Sequence, residues 1–307
     1  MVKFLNEIKK PKVVELGGKG YSLAMLINNG FNVSKGFVIT SGSFLQYFKK
    51  NHLLEKIKAL STEINENNFQ SKSKTIKQLI LDGKMPAAII TEVKFGLNKL
   101  NAKYVAVRSS GIAEDSLKAS FAGLFDTYLN IKTESDLVLE NIKKCWASLF
   151  NERAIIYRIR KNLSHFGGMA VIIQEMVDAE SSGVVFTVNP ITKKRNELVL
   201  EAGFGLGDLI VSGKEIPDSY IVDKRKLKIV RKQIGEQNKA SRIIGGRIKM
   251  MKLTKTKKLS QKVPDEKILE LTKLCIKIEK YCKFPQDIEW CYIKGKIYIL
   301  QTRPITA

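Results

Sequence analysis

Residues 105–130, VAVRSSGIAEDSLKASFAGLFDTYLN, constrain this chain more than any other stretch. The stretch opens on an alternating apolar run, Val105-Ala106-Val107, that reads as a strand entering a core and delivers Arg108 at its end. A loop of small residues follows, Ser109-Ser110-Gly111. A second, Ser120-Phe121-Ala122-Gly123, precedes another strand-like run over 125–131. An arginine at a strand end, beside loops with accessible backbone N–H groups, suits an anion such as phosphate. A surface hairpin with an exposed arginine fits the same residues, and the stretch alone does not separate the two readings.

Nearer the N-terminus, Gly17-Gly18-Lys19-Gly20 leads into Ser22-Leu23-Ala24-Met25-Leu26-Ile27, whose apolar spacing predicts a helix that stops at Asn29-Gly30. A glycine-rich turn with a lysine at a helix start can bind phosphate, although GxxxxGK[ST] is absent and a tight loop with an exposed lysine is the plainer reading. Residues 36–40 read as a strand, with Ser41 or Ser43 capping the helix that follows. Residues 51–102 are polar and helical in pattern, and 61–74 fit a mobile connection or a solvent-facing helix. Helices are expected over 135–150, with Leu137, Leu139, Ile142, Cys145, Trp146 and Leu149 on the apolar side, and over 153–160. The Trp146 stripe reads as core. Strands are expected over 170–176, 183–188 and 197–201. The glycines of 202–208 do not fit GxGxxG and are weak evidence for a dinucleotide fold.

The last fifty residues are more specific. Residues 265–281 form an amphipathic pattern, and two strand-like runs follow, joined by a turn near Lys294-Gly295-Lys296. Side chains alternate along strands, so Asp287 and Glu289 share one face of the first, and Gln301 and Arg303 share one face of the second. An antiparallel hairpin then gathers all four on one surface. Carboxylate and amide oxygens suit Mg²⁺, and the arginine suits phosphate, while a polar outer face with no ligand remains the alternative.

Composition narrows the class. A chain of 307 residues with 44% hydrophobic and 27% charged residues folds as a globular protein of one large domain or two modest ones. No apolar run reaches the ~18–20 residues that span a bilayer. The opening MVKFLNEIKKPK lacks the apolar core of a signal peptide, so the expected location is cytoplasmic. The four cysteines form no CxxC pair, and His52 and His165 are too isolated for a histidine metal site. The net charge of +23 is concentrated over 224–262, where fifteen Lys/Arg face a single acid, Glu236, for a local net of +14. That block fits a docking face for a polyanion or an acidic domain, or simply a solvated region. It has no aromatic residues for stacking bases, which makes nucleic acid an unfavoured partner.

Five segments taken together, GGKGYSL, VAVRSSGIAEDSLKASFAGLFDTYLN, QEMVDAESSGVVFTVNP, EAGFGLGD and DIEWCYIKGKIYILQTRP, resemble the nucleotide-binding domain of the phosphoenolpyruvate synthase and pyruvate, phosphate dikinase family. Rifampicin phosphotransferase shares this domain. The resemblance covers nearly the whole chain, in the family's order. It implies an α/β (α+β) ATP-grasp fold of two subdomains with ATP between them, divided here at about 1–180 and 181–307. By the same resemblance, Lys19 and Arg108 contact the ATP phosphates and, with Arg303, serve catalysis. Ser109 and Ser120 belong to loops closing over those phosphates, and Thr127 lines that end. Gln174, Glu175, Met176 and Val177 form the strand edge that reads adenine. Glu289 and Gln301 hold Mg²⁺, Asp287 supports them, and Arg303 binds phosphate.

Full-length members of the family also carry a swivelling domain with a phosphorylated histidine and a domain that binds pyruvate or phosphoenolpyruvate. Their histidine lies in a Thr/Ser-His-Ala context that neither Lys-Asn-His52-Leu nor Leu-Ser-His165-Phe matches. The chain also stops just after Arg303-Pro304, where this domain ends in the family. The resemblance therefore implies a single module, with the histidine and acceptor domains elsewhere. The expected function is transfer of a phosphoryl or pyrophosphoryl group from Mg·ATP to that histidine. The alternatives are the ATP-binding domain of a rifampicin phosphotransferase or of a pyruvate, phosphate dikinase, and a non-catalytic nucleotide sensor.

Overall fold

Named strands pair only in antiparallel fashion throughout the computed structural model, which describes residues 1–112 and 123–305. The mixed fold is thus of the kind in which helices pack on antiparallel sheets. Two units emerge, one of residues 1–25 and 35–176 and the other of residues 26–34 and 177 onward.

The first unit contains β1 (Val2–Phe4), most of α1 (Val13–Asn28), β2 (Gly36–Ile39), α2 (Ser41–Lys50), α3 (Leu54–Thr62), α4 (Phe69–Asp82), α5 (Ala87–Leu100), β3 (Tyr104–Gly111), β4 (Thr127–Lys132), α6 (Ser135–Ser148), α7 (Glu152–Arg160) and β5 (Met169–Glu175). Its sheet runs β1-β2-β5-β3-β4. Val105, Val107, Val171 and Ile173 share one sheet face and join a core with Phe44, Tyr47, Phe48 and Trp146, all fully buried. Tyr47 and Trp146 meet with ring centroids 4.9 Å apart. On α6 the buried stripe is Val138, Leu139, Ile142, Cys145 and Trp146, while Leu137 lies 40% exposed. The step from 138 to 142 to 145 keeps a helical face, and 137 falls outside it. Thr40, rather than Ser41 or Ser43, takes the cap position of α2. Its carbonyl accepts from Ser43 N, and Ser41 Oγ donates to Val14 O.

The second unit contains β6 (Ser181–Phe186), β7 (Glu197–Phe204), α8 (Asp208–Val211), β8 (Asp218–Asp223), β9 (Lys228–Gln233), β10 (Lys239–Ile244), β11 (Arg247–Lys252), α9 (Lys255–Lys258), α10 (Asp265–Cys282), β12 (Gln286–Ile293) and β13 (Lys296–Pro304). A six-stranded sheet runs β13-β12-β6-β7-β8-β9, and β10 and β11 form a separate pair. Acids open α10 (Asp265, Glu266) and Lys280 closes it, as the helix dipole favours. Its buried side, Ile268, Leu271, Cys275 and Ile278, packs with Val185, Leu198, Leu200, Ile288 and Trp290 of the sheet.

The division differs from a single cut near 180 in one respect. Residues 26–34 belong to the second unit, because Leu26 joins its core, Ile299 N donates to Asn32 O at 2.8 Å and Val33 bridges to Ile299.

The second unit also encloses an ion pair that sequence reading passed over. Lys262 Nζ lies 2.9 Å from Asp218 Oδ1, with both side chains fully buried. Asp218 further accepts from Tyr220 OH, Gly235 N and Lys262 N, and Lys262 Nζ donates to the carbonyls of Gly235 and Lys258. Removing one partner strands the other charge inside the protein. Asp218→Ala is expected to cost about 3–5 kcal/mol of unfolding free energy in urea titration, and Asp218→Ala with Lys262→Met to recover most of it. A loss from the single variant of under about 1 kcal/mol would refute this account.

Candidate functional site

In the first unit the site grows from one close approach. Gly17 interrupts α1 with φ 68° and ψ 175°, so the glycine-rich segment is a break followed directly by helix. A Cβ at Gly17 would stand 2.1 Å from Ser110 O, which excludes any side chain there. Ser110 Oγ donates to Leu16 O at 2.7 Å and accepts from Gly20 N at 3.0 Å, which joins the break to the end of β3. Lys19, within that restart, is only 9% exposed and donates from Nζ to Ser109 O at 3.1 Å. The plain reading of an exposed lysine on a loop is therefore corrected.

Alternation along β3 sorts its residues. Ala106, Arg108 and Ser110 lie on the face met by the start of α1, whereas Val107 and Ser109 lie on the core face. Ser109 Oγ is buried on that core side, with no hydrogen-bond partner among the described residues. Ser109 reaches the site through its carbonyl, which Lys19 engages. Arg108 is buried and donates from its guanidinium to Gln174 Oε1 at 2.9 Å. Gln174 is a central residue of the sheet, paired with Gly36 on one side and Ala106 on the other. Gln174 is one of the four residues expected to form the strand edge that reads adenine; its side chain orients Arg108, and its Nε2 is buried with no partner among the described residues. β5 ends one residue later at Glu175, which pairs with Val105 and donates from N to Lys35 O, and Met176 N donates to Tyr104 O. Val177 begins the second unit.

Thr127 is exposed and sits opposite Arg108 in the ladder with β4. Its neighbour Asp126 was not singled out by sequence reading. The Asp126 carbonyl accepts from Ser109 N at 3.3 Å, and its carboxylate accepts from Tyr128 OH at 3.0 Å and Asn151 Nδ2 at 2.9 Å. Ser120 lies outside the described residues.

In the second unit the expected hairpin forms. Asp287 faces Arg303, and Glu289 faces Gln301 across the β12–β13 ladder. Arg303 donates from Nε at 2.9 Å and from its terminal nitrogen at 2.6 Å, both to Asp287 Oδ2. Two effects oppose each other at Asp287: burial raises its pKa, and the guanidinium lowers it. Burial prevails, helped by Glu289, so the carboxyl sits above its ordinary range. Register through β6 brings in a third acid, since Val184 pairs with Glu289 on one side and with Glu201 of β7 on the other. Burial, and then the charge of Asp287, push the Glu201 carboxyl up as well. Strand alternation marks Glu201 as opposite in face to Leu198, Leu200 and Ala202. Its placement in the row of Glu289 depends on a strand register that local sequence does not specify.

No group of three or more His, Cys, Asp or Glu poised around a metal is found among the described residues. Glu289 and Gln301 offer two hard oxygens on adjacent strands, a donor set that fits Mg²⁺, which commonly takes one or two protein ligands and completes its shell with water and phosphate. All four cysteines are free. His165 Nδ1 is buried with no partner among the described residues, and burial and the nearby Arg158 hold its pKa down.

Carboxyls whose pKa is raised by folding bind protons more tightly in the folded state than in the unfolded one. The fold therefore gains stability from Glu201 as pH falls from neutral toward the ordinary carboxylate range near ~4. Glu201→Gln is expected to raise the thermal midpoint at neutral pH, with the advantage shrinking as pH falls. Melting curves across that window check the sign, and a variant less stable at neutral pH would contradict it.

Residues 13–307 match the family model described as the pyruvate phosphate dikinase AMP/ATP-binding domain. The chain is 40% identical over 317 residues to a probable phosphoenolpyruvate synthase of Methanocaldococcus jannaschii, covering all of this chain and 27% of that protein. It is 35% identical over 360 residues to the phosphoenolpyruvate synthase of Pyrococcus furiosus, covering all of this chain and 44% of that protein. With a rifampicin phosphotransferase of Bacillus subtilis it shares 37% identity over 316 residues, 99% of this chain and 36% of that protein. The chain thus spans less than half the length of these relatives. No helix among the described residues is long and apolar enough to cross a membrane. This chain belongs to the family of pyruvate phosphate dikinase AMP/ATP-binding domains, with the ATP-grasp type of fold that its residues suggested.

Proposed function

We propose that this chain is an Mg·ATP-dependent phosphotransferase module that moves a phosphoryl or pyrophosphoryl group from ATP to a histidine on a separate domain or chain. The observation that carries this reading is the constellation in the first unit: buried Lys19 and Arg108, the hydrogen bond from Arg108 to Gln174, and a buried Gln174 Nε2 with no partner among the described residues. Phosphoryl transfer asks the protein for positioning and charge neutralisation more than for covalent work. A lysine and an arginine held in place by backbone and amide oxygens meet that demand, because little reorganisation is needed as charge develops.

Within this reading, Lys19 and Arg108 hold phosphate oxygens, and Gln174 and Ser109 hold the two cations in position. Glu175, Met176 and Val177 present backbone to the adenine ring, and Thr127 lines the phosphate end. Arg303 binds phosphate while Asp287 orients it. Glu289 and Gln301 hold Mg²⁺, which when bound supplies charge neutralisation on the phosphates. The receiving imidazole nitrogen forms the new N–P bond, and AMP or ADP leaves. The histidine domain and the domain that binds pyruvate or phosphoenolpyruvate are the proposed partners, with the cytoplasm as the compartment that supplies ATP. The rifampicin phosphotransferase relatives favour a second acceptor class on the same first step, since the acceptor acts after the histidine.

Calorimetric titration of the purified chain with Mg·ATP tests the reading, and no binding at millimolar nucleotide would remove it. Arg108→Met is expected to weaken binding about 10–150-fold, the equivalent of one hydrogen bond to a charged group, with the melting transition retained. Glu289→Gln is expected to abolish the Mg²⁺ dependence of binding while metal-free nucleotide still binds. Labelled ATP and a histidine-bearing domain from a relative separate enzyme from sensor, since a sensor binds without transferring label.

A further inference from the structure

The basic block of 224–262 takes no part in the proposed chemistry, and it contains the β10–β11 pair, whose second strand is exposed at every residue. Gly245 and Gly246, with φ of 59° and 77°, form the two-residue turn whose twist matches paired strands. The register then sets like charges opposite each other: Lys239 faces Lys252, and Arg242 faces Lys249. Like charges directly opposite in an antiparallel ladder destabilise it. Alternation puts these two pairs on opposite faces of the ribbon, so neither face escapes the repulsion. Among the described residues Arg242 has one acidic partner, Asp178 at 3.5 Å, and Lys239, Arg247, Lys249 and Lys252 enter no ion pair.

The two strands differ in their surroundings. β10 is tied down: Ser241 Oγ donates to Asp208 at 3.0 Å, Leu206 N to Ser241 O at 2.9 Å and Ile243 N to Asp178 at 3.2 Å. β11 is exposed at all six residues and, among the described residues, pairs with β10 alone. It carries apolar surface as well as charge, with Met250 58% and Met251 44% exposed and Ile248 beside them. Lysines on an edge strand discourage pairing with a second copy, and one or two suffice for that. Repulsive pairs on both faces together with exposed methionines go further than such protection requires. A partner that neutralises the charges and covers the apolar side chains would relieve both costs at once.

We infer that the free edge of β11 docks an acidic polypeptide strand, whose carboxylates face Arg247, Lys249 and Lys252 and whose backbone extends the ribbon. Charge complementarity selects an acidic partner, and the absence of aromatic residues over 224–262 disfavours nucleic acid. This inference stands apart from the nucleotide chemistry, since none of these residues belongs to the proposed site.

The test uses the whole chain, a labelled peptide of about ten residues built of Glu-Glu-Val-Val repeats, which sets carboxylates on both faces of a strand, and an RNA of about twenty nucleotides as the competing polyanion. The informative variant is Lys249→Glu with Lys252→Glu, because each change places an acid opposite a cation of β10 and should firm the ribbon rather than unfold it. The expected result is peptide binding by the native chain and at least about tenfold weaker binding by the variant. RNA binding should change less, the melting temperature should be equal or higher, and the Mg·ATP titration should be unaltered. Three results would each overturn the inference: no peptide binding by the native chain, equal peptide binding by the variant, or a loss of RNA affinity as large as the loss for the peptide.

Discussion

The contact between Gly17 and Ser110 is the constraint from which the first unit's site follows. With a Cβ position 2.1 Å from a carbonyl oxygen, the backbone of α1 touches the backbone of β3 directly. Contact that close fixes where the helix restarts, and Ser110 Oγ, bonded to both Leu16 O and Gly20 N, holds the restart in one orientation. Lys19 is then carried to Ser109 O by the helix itself. A long, flexible side chain loses much rotamer freedom when it is immobilised. Here that entropy is lost on folding, so a ligand meeting Lys19 and Arg108 would find cations already ordered.

The second unit solves a related problem with sheet alternation. One face of its six-stranded sheet packs Leu198, Leu200, Ile288 and Trp290 against α10, so the other face is left to Glu201, Asp287, Glu289, Gln301 and Arg303. The burial that orders these groups also disfavours their charge, and Asp287 shows the balance: even two hydrogen bonds from Arg303 do not bring its pKa down to the ordinary value. Acids held at such a cost in a folded protein point to a use that stability alone does not explain.

Much of this was legible in the sequence where chemistry is local. The 286–304 hairpin was readable because its strands are adjacent in the chain and its turn residues are distinctive, and Arg108 because a strand delivers it. Three features were not legible, for one shared reason. Glu201 enters the acidic row through the register of β6, Gln174 becomes a sheet interior residue through pairing with β2 and β3, and residues 26–34 join the second unit through Asn32 and Val33. Each depends on which distant strand lies alongside, and local periodicity carries no record of that. The helix stripe on α6 failed differently: Leu137 and Val138 are equally apolar, and only the phase of the helix decides between them.

The charge of +23 divides into two populations that obey different physics. Lys19, Arg108, Arg158 and Lys262 are buried, and each is hydrogen-bonded to particular oxygens: Ser109 O, Gln174 Oε1, Leu149 O, and the Asp218 and Gly235 groups respectively. Burial pulls the Arg158 guanidinium down to about 10, which still leaves it protonated at neutral pH. Their number is small because desolvating each one is costly, and partners at hydrogen-bond distance must offset that cost. The larger population lies on the surface, where water screens it and where an isolated lysine needs no explanation. Surface cations acquire meaning only when the fold forces them together, and the β10–β11 register does so by setting Lys239 against Lys252 and Arg242 against Lys249. Net charge taken from composition cannot tell these populations apart. The ladder can, because it separates lysines that solvent accommodates from lysines whose mutual repulsion an acidic neighbour would remove.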